Sequence, residues 1–318
     1  MRSRHQSSSA DPALPSRILD LTSSEESSGG LRLIDGSGKQ GRYAVLTYCW
    51  GPKPEKVSKT TTDTLAQRME SIDLGQLSPL FRDAVQVCRY LEIPYLWIDA
   101  LCIAQDCKNE WYNEARRMRN VYSDAFLTIS AASAESPEER LLLPVETESK
   151  PDPQSVQPAA PIFKYEGGGK VLQLCALREV PSGEAESGVL SRRGWCLQER
   201  YLSRRTVHFT KSYTEWECLT KAQLEDRDVS ASGPVWELLR PLGPDGFQQQ
   251  VTDDKAAQNG EPYTTWYYLL ADYSRRRMTY STDRLAGILG LADLFAQATG
   301  DHLVGGLWAS DLVRGMMW

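Results

Sequence analysis

The stretch "PLFRDAVQVCRYLEIPYLWIDALCI" (79–103) carries two kinds of hydrophobic pattern back to back. In its first half Phe81, Ala84, Val85, Cys88 and Leu91 recur at helical spacing, behind a Ser78 cap and a Pro79 suited to a first helical turn. From Ile93 to Ile103 the apolar centre is continuous, which predicts a strand buried on both faces. Working outward, "RYAVLTYCWG" (42–51) reads as an earlier buried strand running into a loop at Gly51 and Pro52. Trp111, Ala115, Met118 and Tyr122 align on one face of a second helix over 109–122, and "DAFLTISAAS" (124–133) reads as a third strand. Strand, helix, strand, helix, strand in that order implies right-handed crossovers and a parallel sheet. The fold class is α/β, and the loops at the carboxyl ends of such strands are where a ligand site belongs.

The 318 residues allow one large or two small domains with a substantial core. Apolar residues make up 41% and charged ones 25%, as in ordinary water-soluble globular chains. A net charge of −6 argues against a general nucleic-acid-binding surface. No apolar run approaches the roughly 20 residues of a membrane span, and "MRSRHQSSSADPALPSR" lacks the apolar segment of a secretory signal. Seven irregularly spaced cysteines do not form a disulfide framework, so the chain reads as reduced and cytoplasmic.

Residues 1–40, rich in Ser and Gly, are expected to be mostly mobile, with a core domain over 41–230 and a helical extension over 231–318. Polar segments at 144–169 and 241–262 read as an exposed insertion and a second loop. "VLQLCAL" (171–177) reads as a strand and 205–220 as a β-hairpin. "TTWYYLLADYSRRRM" (264–278) and 281–300 read as amphipathic helices, the latter capped near Ser281 and ended by Gly300.

The chemistry concentrates in "RRGWCLQERYLSRR" (192–205), where Glu199 lies one helical turn beyond Trp195-Cys196 with arginines on both sides. Glu199 is either a helix-surface ion pair or a reactive acid beside an anion site. Asp99, after the second strand, either binds ligand hydroxyls or caps the next turn. A metal site is not expected, because Cys102 and Cys107 lack a second pair and the three histidines are dispersed. A Cys196/His208 nucleophilic pair has no evident third residue to orient it. "EGGGK" (166–170) lacks the spacing of a phosphate-cradling loop.

Several unusual words occur here in a set order: "YAVLTYCWG" (43–51), "LFRDAVQVCRYLEIPYLWIDALCIAQD" (80–106), "EWYNEARRMRNVYSDAFLTISAAS" (110–133) and "SRRGWCLQERYLSRRTVHFT" (191–210). Together they resemble the fungal heterokaryon-incompatibility (HET) domain, found in proteins that trigger cell death when unlike hyphae fuse. More remotely the chain is similar to Toll/interleukin-receptor (TIR) domains, several of which cleave NAD. The resemblance implies a TIR-like parallel sheet flanked by helices, with a large insertion and a C-terminal helical extension. It also implies NAD glycohydrolysis, with NAD as substrate and no cofactor, and with Glu199 as the essential acid. Tyr48, Cys49, Trp50 and Gly51 then follow the first strand, while Asp99, Cys102 and Gln105 belong to the second strand and the loop closing over the ligand. Arg192 or Arg193 would meet the pyrophosphate, and Trp50 or Trp195 a ring of the substrate, beside Cys196. Self-association into active oligomers and an upstream receptor or incompatibility partner are implied as well. The competing reading is a non-enzymatic assembly module that recruits a cell-death partner.

Overall fold

The computed structural model describes residues 11–22, 31–142, 163–167, 170–174, 188–211, 213–218, 221–224, 228–229 and 261–317. The fold is mixed α/β, built on a nine-stranded sheet. Its centre is four parallel strands: β3 (Tyr43–Thr47), β4 (Tyr95–Trp97), β5 (Leu127–Ser130) and β8 (Arg205–Phe209). They lie in the order β4-β3-β5-β8, so the chain steps to one side of β3 for β4 and to the other for β5. Every residue of β3 and β5 is buried, including the hydroxyl residues Thr47, Thr128 and Ser130.

The helices between these strands follow the predicted periodicity. Helix α2 (Pro79–Tyr90) has Ser78 at its N-cap and Pro79 in its first turn, and it buries Leu80, Phe81, Ala84, Val85 and Cys88. Asp83 lies on the same buried face and accepts two bonds from the Arg140 guanidinium and one each from the amides of Leu141 and Leu142. Leu91 is the C-cap and is exposed. The predicted strand over 93–103 is shorter than expected. It ends at Trp97, and Asp99–Cys102 form a one-turn helix, α3, with Leu101 and Cys102 amides bonded to the Ile98 carbonyl. Helix α4 (Lys108–Ser123) buries Val121 and Tyr122 and half-buries Trp111, Ala115 and Met118.

The expectation of a mobile segment before residue 41 is overturned for its described part. Strands β1 (Arg17–Asp20) and β2 (Arg32–Asp35) form an antiparallel hairpin, and β1 pairs with β4 to extend the sheet. Ile18, Leu19 and Leu33 are fully buried there. At about 1.5–3 kcal/mol per buried side chain, this outweighs the local preference of a Ser-rich stretch for disorder.

On the other edge, β8, β9 (Thr214–Cys218), β10 (Lys221–Leu224) and β11 (Asp228–Val229) continue as an antiparallel meander, which contains the predicted 205–220 hairpin. The expected strand at 171–177 is realised as β7 (Lys170–Leu174), paired with β6 (Phe163–Gly167) in a separate two-stranded sheet. Most of the 144–169 segment, and the 241–262 loop up to residue 260, lie outside the described residues.

Both helices of the extension form. Helix α6 is Glu261–Arg275; the next begins with a 3-10 turn at Ser281–Arg284 and continues as α7 (Ala286–Thr299), ended by Gly300 at φ 70°. A short β12–β13 ribbon (Leu303–Val304, Leu307–Trp308) and α8 (Leu312–Met316) follow. Phe295 stacks on Trp308 at 4.4 Å, with Trp266 edge-on to Trp308 and tilted against Phe295, so an aromatic cluster holds the extension together and joins the main core. It is tied to the 192–205 motif by two backbone bonds, Arg277 N to Arg192 O and Gly194 N to Arg277 O. Met278 fills the notch left by Gly194 and Gly287, where any Cβ would collide with its methyl.

Candidate functional site

The motif helix α5 (Trp195–Leu202) buries Cys196, Leu197, Gln198, Glu199 and Leu202. Glu199 is therefore not a surface ion pair. Its side chain, 8% exposed, reaches the carboxyl end of β3 and accepts a 2.5 Å bond from the Thr47 hydroxyl. Burial pushes its carboxyl up to about 7; the Thr47 bond and the Arg193 charge pull it down, and the Asp99 charge pushes it further up. An acid at that value is about half ionised near neutrality, the condition a general acid or base needs.

Asp99 stands across from it at the end of β4. One oxygen accepts from the Tyr48 hydroxyl at 2.8 Å and the Ala100 amide at 2.6 Å, and the other from the Trp50 indole at 2.7 Å. Burial raises its pKa and these three donors oppose the rise. Asp99 is thus an orienting group that fixes the loop after β3 to the loop after β4. Gly51 closes that loop at φ 77°, where a Cβ would lie 2.6 Å from the Ser136 Cβ. Gln105 spends its amide on the Asp99 and Ile103 carbonyls, pinning the following turn.

Of the two candidate arginines, Arg193 belongs to the site and Arg192 does not. Arg192 is exposed and ends a 3-10 turn. Arg193 is half-buried; burial disfavours its charge, but Cys196, Cys49, Glu199 and Asp99 outweigh that and hold its pKa above the ordinary value. Cys49 and Cys196 pack with Leu190 in a small apolar cluster, and burial pushes both thiols up, Cys196 well up. Trp195 packs edge-on against Trp111 at 6.0 Å, a contact between two half-buried rings. Cys102 is corrected from ligand contact to core residue: its sulfur accepts from the Ile98 amide and its thiol is pushed up to about 12 by burial.

A second polar cluster adjoins the first. His208 on β8 bonds Glu217 on β9 through Nε2 at 2.8 Å and Ser130 on β5 through Nδ1 at 3.0 Å, and Arg200 donates to Glu217 through two nitrogens. A cavity of about 20 Å³ lies here, lined by Thr47, Ser130, Cys196, His208 and Arg276 among others. Glu217 supplies the orienting residue that His208 lacked in the sequence, but the other imidazole nitrogen bonds Ser130 and not Cys196. Sequence reasoning missed Thr47, Ser130 and Glu217. Their only local signal is a hydroxyl at the last position of an apolar strand, or an acid in a strand of mixed character.

The fold and site together define an α/β domain with a buried carboxyl at the carboxyl ends of its parallel strands, where the order of strands switches direction. Residues 43–199 match the family model described as heterokaryon incompatibility protein (HET). Among curated proteins and among solved structures, none shows a significant match to it. Among the described residues no helix is long and apolar enough to cross a membrane.

Proposed function

We propose that this HET domain is a cell-death effector of heterokaryon incompatibility that acts by cleaving the nicotinamide–ribose bond of NAD. The observation that supports this is Glu199: a buried carboxyl poised near neutrality, with one cation, Arg193, and one orienting carboxylate, Asp99, beside it. Nicotinamide is a cationic leaving group, so its departure through an oxocarbenium-like transition state needs no metal and no strong nucleophile. An ionised Glu199 would stabilise that developing positive charge and hold the ribose hydroxyls. Arg193 would pair with the pyrophosphate. Trp50, fixed by Asp99, would offer its ring to a base. The similarity of Trp195, Cys196 and Glu199 to the motif of NAD-cleaving TIR domains points the same way.

One observation favours the alternative, an assembly module without catalysis. The cavity beside Thr47 holds about 20 Å³, far below the roughly 300 Å³ of a ligand pocket. For an enzyme this closed arrangement is the latent form, and self-association would have to open the loop after β4. The deciding experiment follows nicotinamide release from NAD by the concentrated protein, with Glu199→Gln alongside. Release that disappears in the variant supports the glycohydrolase. No release, even from protein forced to cluster, sinks it in favour of the assembly module.

A further inference from the structure

Three neighbouring strands carry, at or next to their last residue, polar side chains that the glycohydrolase reading leaves unused. Thr47, Ser130 and His208 are register partners across β3, β5 and β8, so their side chains line up on one face of the sheet. Thr47 is bonded to Glu199 at one end of this row, and His208 to Glu217 at the other. Burial disfavours a charge on Glu217, but Arg200 and the His208 bond outweigh it and hold the carboxyl down at about 2. An ionised carboxylate only accepts, so Nε2 of His208 carries the hydrogen, and Nδ1 offers its lone pair to the Ser130 hydroxyl. The cavity lies against both Thr47 and Ser130 and has the volume for one water with hydroxyl partners on each side.

We propose that Thr47, one water in this cavity and Ser130 form a proton path between Glu199 and His208, which makes His208 a positioning residue that takes up the proton Glu199 releases. The transfer balances within the row. When Glu199 is protonated its bond to Thr47 runs the other way, from carboxyl to hydroxyl oxygen: Glu199 gives its proton to the Thr47 oxygen, Thr47 gives its own to the water, the water gives one to Ser130, and Ser130 gives its own to Nδ1, which leaves Thr47 donating to the carboxylate. The products are a Glu199 carboxylate and a His208 imidazolium held by Glu217; each oxygen between them ends with the protons it began with. The reverse transfer restores the acid. Charged neighbours of His208 are Glu217, Arg200 and Arg276, the last of these paired with Asp272. Facing Glu199 are Asp99, Arg193 and the thiol of Cys196, with the Tyr122 hydroxyl. None of these except Glu199 and His208 is altered by the transfer.

The path does not require that the substrate be NAD, but its use in turnover rests on the glycohydrolase reading, and the test separates the two. The ¹⁵N resonance of His208 Nδ1 is followed as pH crosses the Glu199 titration, in wild type, Thr47→Val and Ser130→Ala. These variants cut the row and remove no charge. The expected result is a step in wild type that is lost in both, and kept in Thr47→Ser, which also guards against a folding defect. An equal step in wild type and Thr47→Val overturns the path, whatever the enzyme assay shows. Where nicotinamide is released, Ser130→Ala should lower kcat by ~10-fold or more with KM unchanged. Release with wild-type kcat in Ser130→Ala overturns the path and leaves the glycohydrolase standing. Absent release with a step lost in both cut variants does the reverse.

Discussion

Thr47 and Glu199, 152 positions apart, meet through a 2.5 Å hydrogen bond at the carboxyl end of β3. The hydroxyl is the last residue of a fully buried strand and the carboxyl lies on the inward face of the motif helix. The bond therefore anchors α5 to the centre of the sheet, and it holds a titratable group in a place where ionisation is costly.

Glu199→Gln should be more stable than wild type in alkaline solution and equally stable in acid. The folded-state pKa is raised, so the protonated carboxyl's contribution is present below the ordinary value of 4.5 and is lost as pH rises to about 7. At ~1.4 kcal/mol per pH unit, the difference between the two proteins grows to something on the order of 3 kcal/mol across that window. Urea denaturation of both at pH 4 and pH 8 measures it. Parallel curves at the two pH values would mean that Glu199 is solvated in the fold.

Arg193 and Asp99 should shift the Glu199 titration in opposite directions. Arg193→Met removes a charge that favours the carboxylate, so the midpoint rises. Asp99→Asn removes one that opposes it, so the midpoint falls, each by roughly one unit or less. Carboxyl ¹³C shifts resolve the two directions. Movement in the same direction in both would place one of these groups outside the reach of Glu199.

Asp83→Asn should cost ~3 kcal/mol of folding stability, read from the urea midpoint at constant slope. The buried carboxylate accepts four bonds, from Arg140 Nε and Nη2 and from the amides of Leu141 and Leu142. An amide nitrogen at that position would face donors. A loss below ~1 kcal/mol would show that the 137–142 segment can detach without consequence for the core.

Gly51→Ala should destabilise by ~1–3 kcal/mol, because the residue sits at φ 77° and the added methyl would lie 2.6 Å from the Ser136 Cβ. The strain falls beside Trp50, so tryptophan fluorescence should change along with the melting temperature. An unchanged melting temperature would mean that the loop after β3 refolds around the methyl.

Much of the architecture was legible because it is local. Apolar-rich runs gave away β3 and β5, and apolar residues recurring at helical spacing gave away α2 and α4. The limits were local as well. "RILD" and "RLID" carry too few apolar residues to stand out from a Ser-rich segment, and they become strands only by pairing with each other and with β4. The strand read over 93–103 stopped early because Asp99 turns inward to collect the donors of the neighbouring loop. Nothing in "LTYCWG" or "LTIS" distinguishes Thr47 or Ser130 from an ordinary strand residue.

By itself, then, the sequence determined the parallel α/β core, the helical extension, and Glu199 as the acid to watch, since periodicity and motif are properties of neighbours along the chain. Only the tertiary structure decided that Arg193 and not Arg192 faces the acid, that Cys102 is core, and that Thr47, Ser130, His208 and Glu217 form one row. Those relations are set by strand register and by the bridge between residues 193 and 277. Register depends on which strands pair, and contacts between residues far apart in sequence leave no periodic trace.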